Sequence, residues 1–336
     1  MKKLYLLMAL VVLWVHSAQS LTIVRDFTGT APTNTIGSGT WTNTINSACR
    51  VWETVFPGSG KLTIHFEWGN VSTATHYLMS QGGSPHRELE AKVVINGSPW
   101  FKWFIDADPL SPPSAYASST VDLGGGPINA GRYQYGVSAE MSMDLFTTVL
   151  HEIGHALGLS MDNDSFSLIC QSGSVTICTS LPYAGTVVPL AQNNGGFTSH
   201  IGDVAEGNLM SGLIGWCQRS LPSALDIVTL AQLSGYTEVN PDLAPVLSIG
   251  WPESVAGRPM PPILELSWIQ PLPPPTGTQY RVQVCTNLAA GNWETAEGDA
   301  IVSNGVYRQL VAKTSDAAFF RLKAEPVQQA APVHVE

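Results

Sequence analysis

Two histidines four residues apart, with a glutamate directly after the first, are the residues of this chain best placed to do chemistry: His151-Glu152-Ile153-Gly154-His155. On a helix, positions i and i+4 share a face with Cβ atoms ~5–6 Å apart, so both imidazoles can reach one metal ion. Glu152 lies about 100° round the helix, beside the pair, where its carboxylate can touch a water on the metal without taking a coordination position. Zinc lowers the pKa of that water from 15.7 to roughly 7, and a carboxylate can then take its proton as hydroxide attacks a carbonyl. That is the chemistry of amide hydrolysis. A catalytic zinc needs a third protein ligand from elsewhere in the chain. No glutamate occurs between Ile153 and Ala205, which removes a layout completed by a glutamate some twenty residues downstream. The layout His-Glu-x-x-His-x-x-Gly-x-x-His runs correctly to Gly158 and then places Met161 where the last histidine belongs.

These residues need elements to position them. Residues 142–157 read as a helix with Leu145, Val149, Ile153 and Ala156 as its apolar stripe and Gly158 as its stop. A second amphipathic helix is expected over residues 45–55, ended by Pro57-Gly58, and a third over 221–233 with Leu225, Ile227, Leu230 and Leu233. Residues 61–68 alternate as a strand, with Leu62, Ile64, Phe66 and Trp68 on one face, and shorter strands are expected at 92–95 and 100–105. The Gly-rich stretch 121–136 reads as a loop plus an edge strand. Nine prolines between Pro245 and Thr276 suit a stiff connector. Beyond and within it, strands at 263–268, 279–285, 306–312 and 318–323 predict an all-β module of about 90 residues, a small sandwich.

The run HEIGHALGLS, preceded by DLFTTVL and followed later by NLMSG, resembles the metzincin clan of zinc metallopeptidases, and its ten residues resemble matrixins. In that clan the glycine bends the chain so that a third ligand meets the metal, and a methionine in a tight turn packs beneath the site. Met161 departs from the pattern, since a thioether is too soft for a catalytic zinc ligand. Between the signal peptide and the helix lie His65, His76 and His86, and only His200 follows the helix inside the domain. The order Ser199-His200, Asn208-Leu209-Met210-Ser211-Gly212, a helix bearing Asp226, then Gly235-Tyr236 is similar to metzincin relatives, leishmanolysin-like ones among them, in which an insertion separates the helix from the third histidine. The resemblance therefore implies His200 as third ligand and Met210 as the Met-turn, with residues 161–199 as an insertion rimming the cleft. Asp162 and Asp164 are the competing donors, and a two-ligand or inactive site is the remaining alternative. Met210 has an ordinary core methionine as its plainer reading. Tyr236 sits near the metal in some relatives, whereas a core aromatic at a helix end is the plainer role. The resemblance spans roughly residues 40–238. The tail, YRVQVCTNL through NWETAEG to FFRLKAE, resembles β-sandwich modules appended to secreted bacterial proteins, which implies an accessory part that binds a surface or polymer.

Composition narrows the partners. The 336 residues carry 16 Lys+Arg against 26 Asp+Glu, a net charge of -10, with no basic cluster to meet nucleic acid or an anionic membrane. Charged residues are only 12% of the chain and apolar ones 44%, with 31 Gly and 23 Pro, so it reads as ordered and loop-rich rather than disordered. Lys2 and Lys3, an apolar run from Leu4 to Val15, and small residues at Ala18 and Ser20 read as a signal peptide cut after Ser20, which implies a secreted protein. No later run is long enough for a membrane span. Export permits disulfides, for which Cys170–Cys178 is the first choice and Cys49–Cys217 the second, leaving Cys285 over; unpaired buried thiols are the alternative. Asp106 and Asp108 are a candidate structural calcium pair, or a solvated turn.

The expected architecture is α+β: residues 1–20 a signal peptide, 21–244 a metzincin-like domain with a twisted mixed sheet and an active-site helix, and 245–336 a Pro-rich linker with a small all-β sandwich. The expected function is a secreted zinc endopeptidase acting on protein or peptide substrates, with zinc on His151, His155 and His200 and Glu152 as general base. The competing class is a non-catalytic extracellular binding protein on a degenerate metalloprotease scaffold.

Overall fold

Short strands dominate the computed structural model, which describes residues 21–336 apart from 59, 111–116, 136–140, 171, 195, 205–207, 246, 251–262, 271–277, 289, 304, 313–317 and 328–336. The signal-peptide reading and the Pro261-Pro262 and Pro273–Pro275 runs lie outside the described residues. The N-terminal elements are β1 (Leu21–Thr28), β2 (Thr35–Ile36), α1 (Trp41–Val55), β3 (Gly60–Gly69), β4 (Ala74–Gly82), β5 (Arg87–Asn96), β6 (Trp103–Phe104), β7 (Ala117–Asp122), β8 (Pro127–Tyr135) and β9 (Met143–Asp144). Then come α2 (Leu145–Ala156), α3 (Asp164–Ile169), β10 (Ser174–Thr176), β11 (Val187–Asn193), β12 (Gly196–Ile201), β13 (Gln218–Leu221) and α4 (Ala224–Ser234). The tail holds β14 (Ser248–Gly250), β15 (Ile263–Ile269), β16 (Thr278–Cys285), β17 (Glu294–Thr295), β18 (Ile301–Ser303), β19 (Val306–Ala312) and β20 (Phe319–Pro326). The chain is thus mixed α+β, rich in strands spread over several sheets, with four helices among the described residues.

The sheet that frames the site has the order β1-β3-β5-β4, with β1, β3 and β5 parallel and β4 antiparallel along the edge. Alternation in β3 buries Leu62, Ile64 and Phe66 on one face, as its period implies. The other face is polar: His65 bridges Asp26 of β1 at 2.8 Å and Glu90 of β5 at 2.8 Å. α1 starts four residues before its expected start because Thr40 caps it, accepting from the Asn43 N–H. It packs on α2, and the indole N–H of Trp52 donates to the Leu150 carbonyl at 3.0 Å.

α2 starts at Leu145, three residues later than expected from periodicity. Asp144 is the reason: its backbone is extended and its side chain accepts from the Thr147 N–H, which ends the preceding strand and caps the helix in one residue. Arg219 on β13 grips the same carboxylate with two bonds of 3.1 and 3.0 Å, and adds Asp106 at 2.6 Å. The buried charges therefore compensate one another. Of the candidate calcium pair, Asp106 pairs with Arg219, Asp108 Oδ1 is buried without a hydrogen bond, and no His, Cys or further acidic group clusters with the two among the described residues. Residues 121–136 are also more ordered than expected: β7 and β8 form a hairpin, β8 is central between β13 and β7, and the glycines at 124–126 make its turn.

All five cysteines are free thiols, which corrects both expected disulfides. Cys170 is buried at the C-cap of α3, while Cys178 is exposed and bonded to the Ser180 hydroxyl, so closeness in sequence does not bring the two sulfurs together. In the tail, sheets β14-β15-β19-β18 and β17-β16-β20 enclose Leu266, Trp268, Val282, Ala296 and Val311. Ile269 and Val306 instead join the main core, where Gly305, at φ +67°, leaves no room for a Cβ against Leu110. No helix among the described residues is long and apolar enough to cross a membrane.

Candidate metal centre

α2 presents His151 and His155 on one face, both buried, with their Nε2 atoms 3.1 Å apart. His200, near the end of β12, brings a third imidazole: its ring centroid lies 5.3 Å from that of His151 and 4.9 Å from that of His155. One ring nitrogen from each of the three falls within 4.8 Å of the other two. The separation of 161 to 200 in sequence is closed by α3 and the β10-β11-β12 sheet, which return the chain to the helix.

The hydrogen bonds of these rings decide what can sit among them. His151 Nδ1 lies 2.7 Å from the Leu209 carbonyl and His155 Nδ1 lies 2.7 Å from the Leu159 carbonyl. A carbonyl oxygen only accepts, so each Nδ1 carries the proton and each Nε2 presents a lone pair. Burial disfavours a second proton on either ring, pushing His151 down to about 4 and His155 well below its ordinary value. Burial lowers His200 as well. Two bare lone pairs 3.1 Å apart repel unless a cation stands between them. Tetrahedral zinc with ~2.0–2.1 Å bonds separates its ligand nitrogens by about 3.3 Å, so the donor set fits that ion. Orientation of ligand rings by backbone carbonyls is the arrangement that metal-binding histidines use.

One turn after β12 supports two of the three donors. The Leu209 carbonyl holds His151, and the Met210 carbonyl accepts from the Ile201 N–H at 2.8 Å, fixing the strand next to His200. The Met210 side chain is fully buried and packs against α2 at Gly154, where a Cβ would collide with the Met210 sulfur. Asp226 in α4 secures the turn from below, accepting from the Leu209 and Met210 N–H groups at 3.2 and 3.0 Å while its carboxylate also closes a capping box with Ser223. Gly154→Ala is expected to cost ~1–3 kcal/mol of overpacking, against ~1 kcal/mol gained in helix propensity, and to loosen metal binding. Urea unfolding with and without zinc measures both effects.

Glu152 sits beside the pair, 6% exposed. Burial raises its carboxyl to about 8, and the backbone N–H of His76 partly offsets that rise. The site opens into a cleft of about 620 Å³ walled on one side by residues 72–76, at the start of the edge strand β4. Periodicity missed β4, whose Tyr77, Leu78 and Met79 are consecutive rather than alternating, and nothing in its spacing marks His76. That imidazole is almost fully buried against Glu88, 2.7 Å away and itself fully buried, at the back of the wall. Met161 is 55% exposed and lines the cleft. Asp162 lines the cleft without joining the donors, and Asp164 bonds His86 at 2.9 Å, so neither competing donor is at the centre. Tyr236 lies in the core, stacked on Phe56 at 4.3 Å with the Arg87 guanidinium 4.2 Å from its ring centroid. Comparison with protein-family models, with curated proteins and with solved structures finds no match to this chain.

Proposed function

We propose that the protein is a secreted zinc-dependent endopeptidase of the metzincin kind, with His151, His155 and His200 as the zinc ligands, Met210 as the Met-turn and Glu152 as general base and then acid. The observation that carries this reading is the convergence of three neutral imidazoles beside a buried carboxylate at the wall of an open cleft. A bound zinc ion supplies Lewis acidity, polarising a substrate carbonyl and making water acidic enough to act near neutral pH. Glu152 takes the proton of the attacking water on a carboxylate oxygen and hands it to the departing amine nitrogen. β4 offers an unpaired sheet edge along the cleft, to which an extended peptide can add as a strand. Main-chain pairing of that kind suits cleavage inside a chain with broad tolerance of sequence. A purely structural metal site would have no use for Glu152, which weighs against the binding-protein alternative.

Zinc content and casein hydrolysis test the reading together. The secreted chain is expected to carry one zinc, to lose hydrolysis on chelation and to regain it when zinc is returned. His200→Ala should lose the metal and Met161→Ala should keep it. Zinc retained by His200→Ala would remove the third ligand from the scheme, and a zinc-loaded parent without hydrolysis would favour the binding protein.

A further inference from the structure

Gly305 sits in the turn between β18 and β19 at φ +67°, a left-handed backbone that suits glycine. Lacking a side chain, it lets the turn press on residues 108–110: a Cβ there would collide with the Leu110 Cβ and come within 3.1 Å of Asp108 Oδ1. Val306, the next residue, and Ile269 of β15 are buried in one apolar cluster with Ile105 and Leu110. The Tyr307 phenol is raised by burial and then by the Asp108 carboxylate, so the same loop also faces β19 one residue further on. Leu266, Trp268, Val282, Ala296 and Val311 form a separate cluster. The tail therefore has two apolar contacts, one internal and one shared with residues 105–110.

From that segment an unbroken run of hydrogen bonds leads to the helix of the metal centre. The Asp108 N–H donates to Asp106 Oδ1 at 3.0 Å, and Asp106 Oδ2 accepts from Arg219 at 2.6 Å. Arg219 gives its other two nitrogens to Asp144, and its guanidinium carbon lies 5.8 and 5.4 Å from the Phe104 and Phe146 rings. Asp144 accepts from the N–H and the hydroxyl of Thr147, one helical turn ahead of His151. The Thr147 hydroxyl accepts in turn from the Ser220 N–H, beside Arg219. Arg219, Asp144 and Thr147 are all buried, so a shift in one leaves the next without water to replace it. We infer that the C-terminal β structure is a positioning part of the metal centre. Its β18–β19 turn holds residues 105–110, Asp106 then keeps Arg219 on the cap of α2, and the cap fixes the start of the helix that carries His151 and His155. The inference rests on the zinc reading for its effect on affinity, while the linkage itself can be followed in the metal-free chain.

Zinc affinity by chelator competition and amide hydrogen exchange in the metal-free full chain test it together. Gly305→Ala, which wedges the turn off Leu110, and Val306→Ala, which thins the shared contact without adding bulk, should each weaken zinc by roughly 2- to 30-fold, the span that contacts along such a chain produce at a distant site. Both should also speed exchange in the first turn of α2. Val282→Ala is the control: it loosens the tail's own cluster without touching the shared one, and should match the parent in both readouts. Asp106→Asn should weaken zinc as well, and adding Gly305→Ala to it should change little more, because the link is already cut. The inference is overturned if Gly305→Ala and Val306→Ala both behave as the parent does, if Val282→Ala weakens zinc as much as they do, or if the Gly305→Ala and Asp106→Asn effects simply add. A parent that binds no zinc would remove the metal reading alone; exchange in the first turn of α2, faster in the two contact variants or unchanged, would then decide the linkage.

Discussion

Glu152→Gln is expected to leave one zinc per chain and to lower kcat for casein hydrolysis by about 10²–10⁴-fold, the range a positioned general base contributes. The amide keeps the shape of the carboxylate and its contact with the His76 N–H, so the helix, the cleft wall and the three imidazoles stay in place. What it removes is the lone pair that takes a proton from the attacking water. KM should move little, since peptide pairing with the edge of β4 does not involve this side chain. Because Glu152 is almost entirely buried, replacing an ionisable group by a neutral one should leave the urea midpoint unchanged or raise it. Zinc analysis, steady-state kinetics and unfolding on one preparation separate these effects. Full activity in a zinc-loaded Glu152→Gln protein would rule out the general-base assignment.

Asp226→Ala is expected to be the most damaging single change away from the donors, costing about 3–5 kcal/mol of stability and weakening zinc at the same time. The carboxylate is fully buried and accepts from the Leu209, Met210 and Ser223 N–H groups and from the Ser223 hydroxyl. Its loss strands three backbone donors at ~1–3 kcal/mol each before relaxation, and removes one half of the capping box of α4. The Leu209–Met210 turn then loosens, and with it the carbonyl that orients His151 and the Met210 carbonyl that ties the strand of His200. Ser223→Ala serves as the comparison, since it disturbs the cap and leaves the bonds to the turn intact. Urea unfolding followed with and without zinc should show a larger zinc-dependent loss for Asp226→Ala than for Ser223→Ala. Equal zinc affinity in the two variants would show that the turn does not organise the centre.

The parts of this protein legible in the order of its residues are those set by local spacing. His151 and His155 had to share a helix face because four residues make just over one turn, and Glu152 had to lie beside them. Strands at 263–268, 279–285 and 306–312 follow from alternation alone, and the observed β15, β16 and β19 differ from them by a residue or less at each end. His200 as third donor could be reached only by resemblance, since no period links it to the helix; its place beside the pair depends on a 39-residue excursion from Met161 to Ser199 folding back through α3 and three strands. Helix α2 begins at Leu145 because Asp144 answers to Thr147 and Arg219, and the second partner lies 75 residues away. The thiols that looked pairable in sequence are parted by burial, and Asp106 pairs with an arginine 113 residues away. β4 escaped notice because Tyr77, Leu78 and Met79 run consecutively, so no period of two shows in its sequence. The sequence by itself determined two imidazoles on one face, their neighbouring carboxylate and the helix that carries them. Tertiary structure alone decided the third imidazole, the His76–Glu88 wall and the docking of the tail on the main core, because each joins residues whose separation along the chain carries no period.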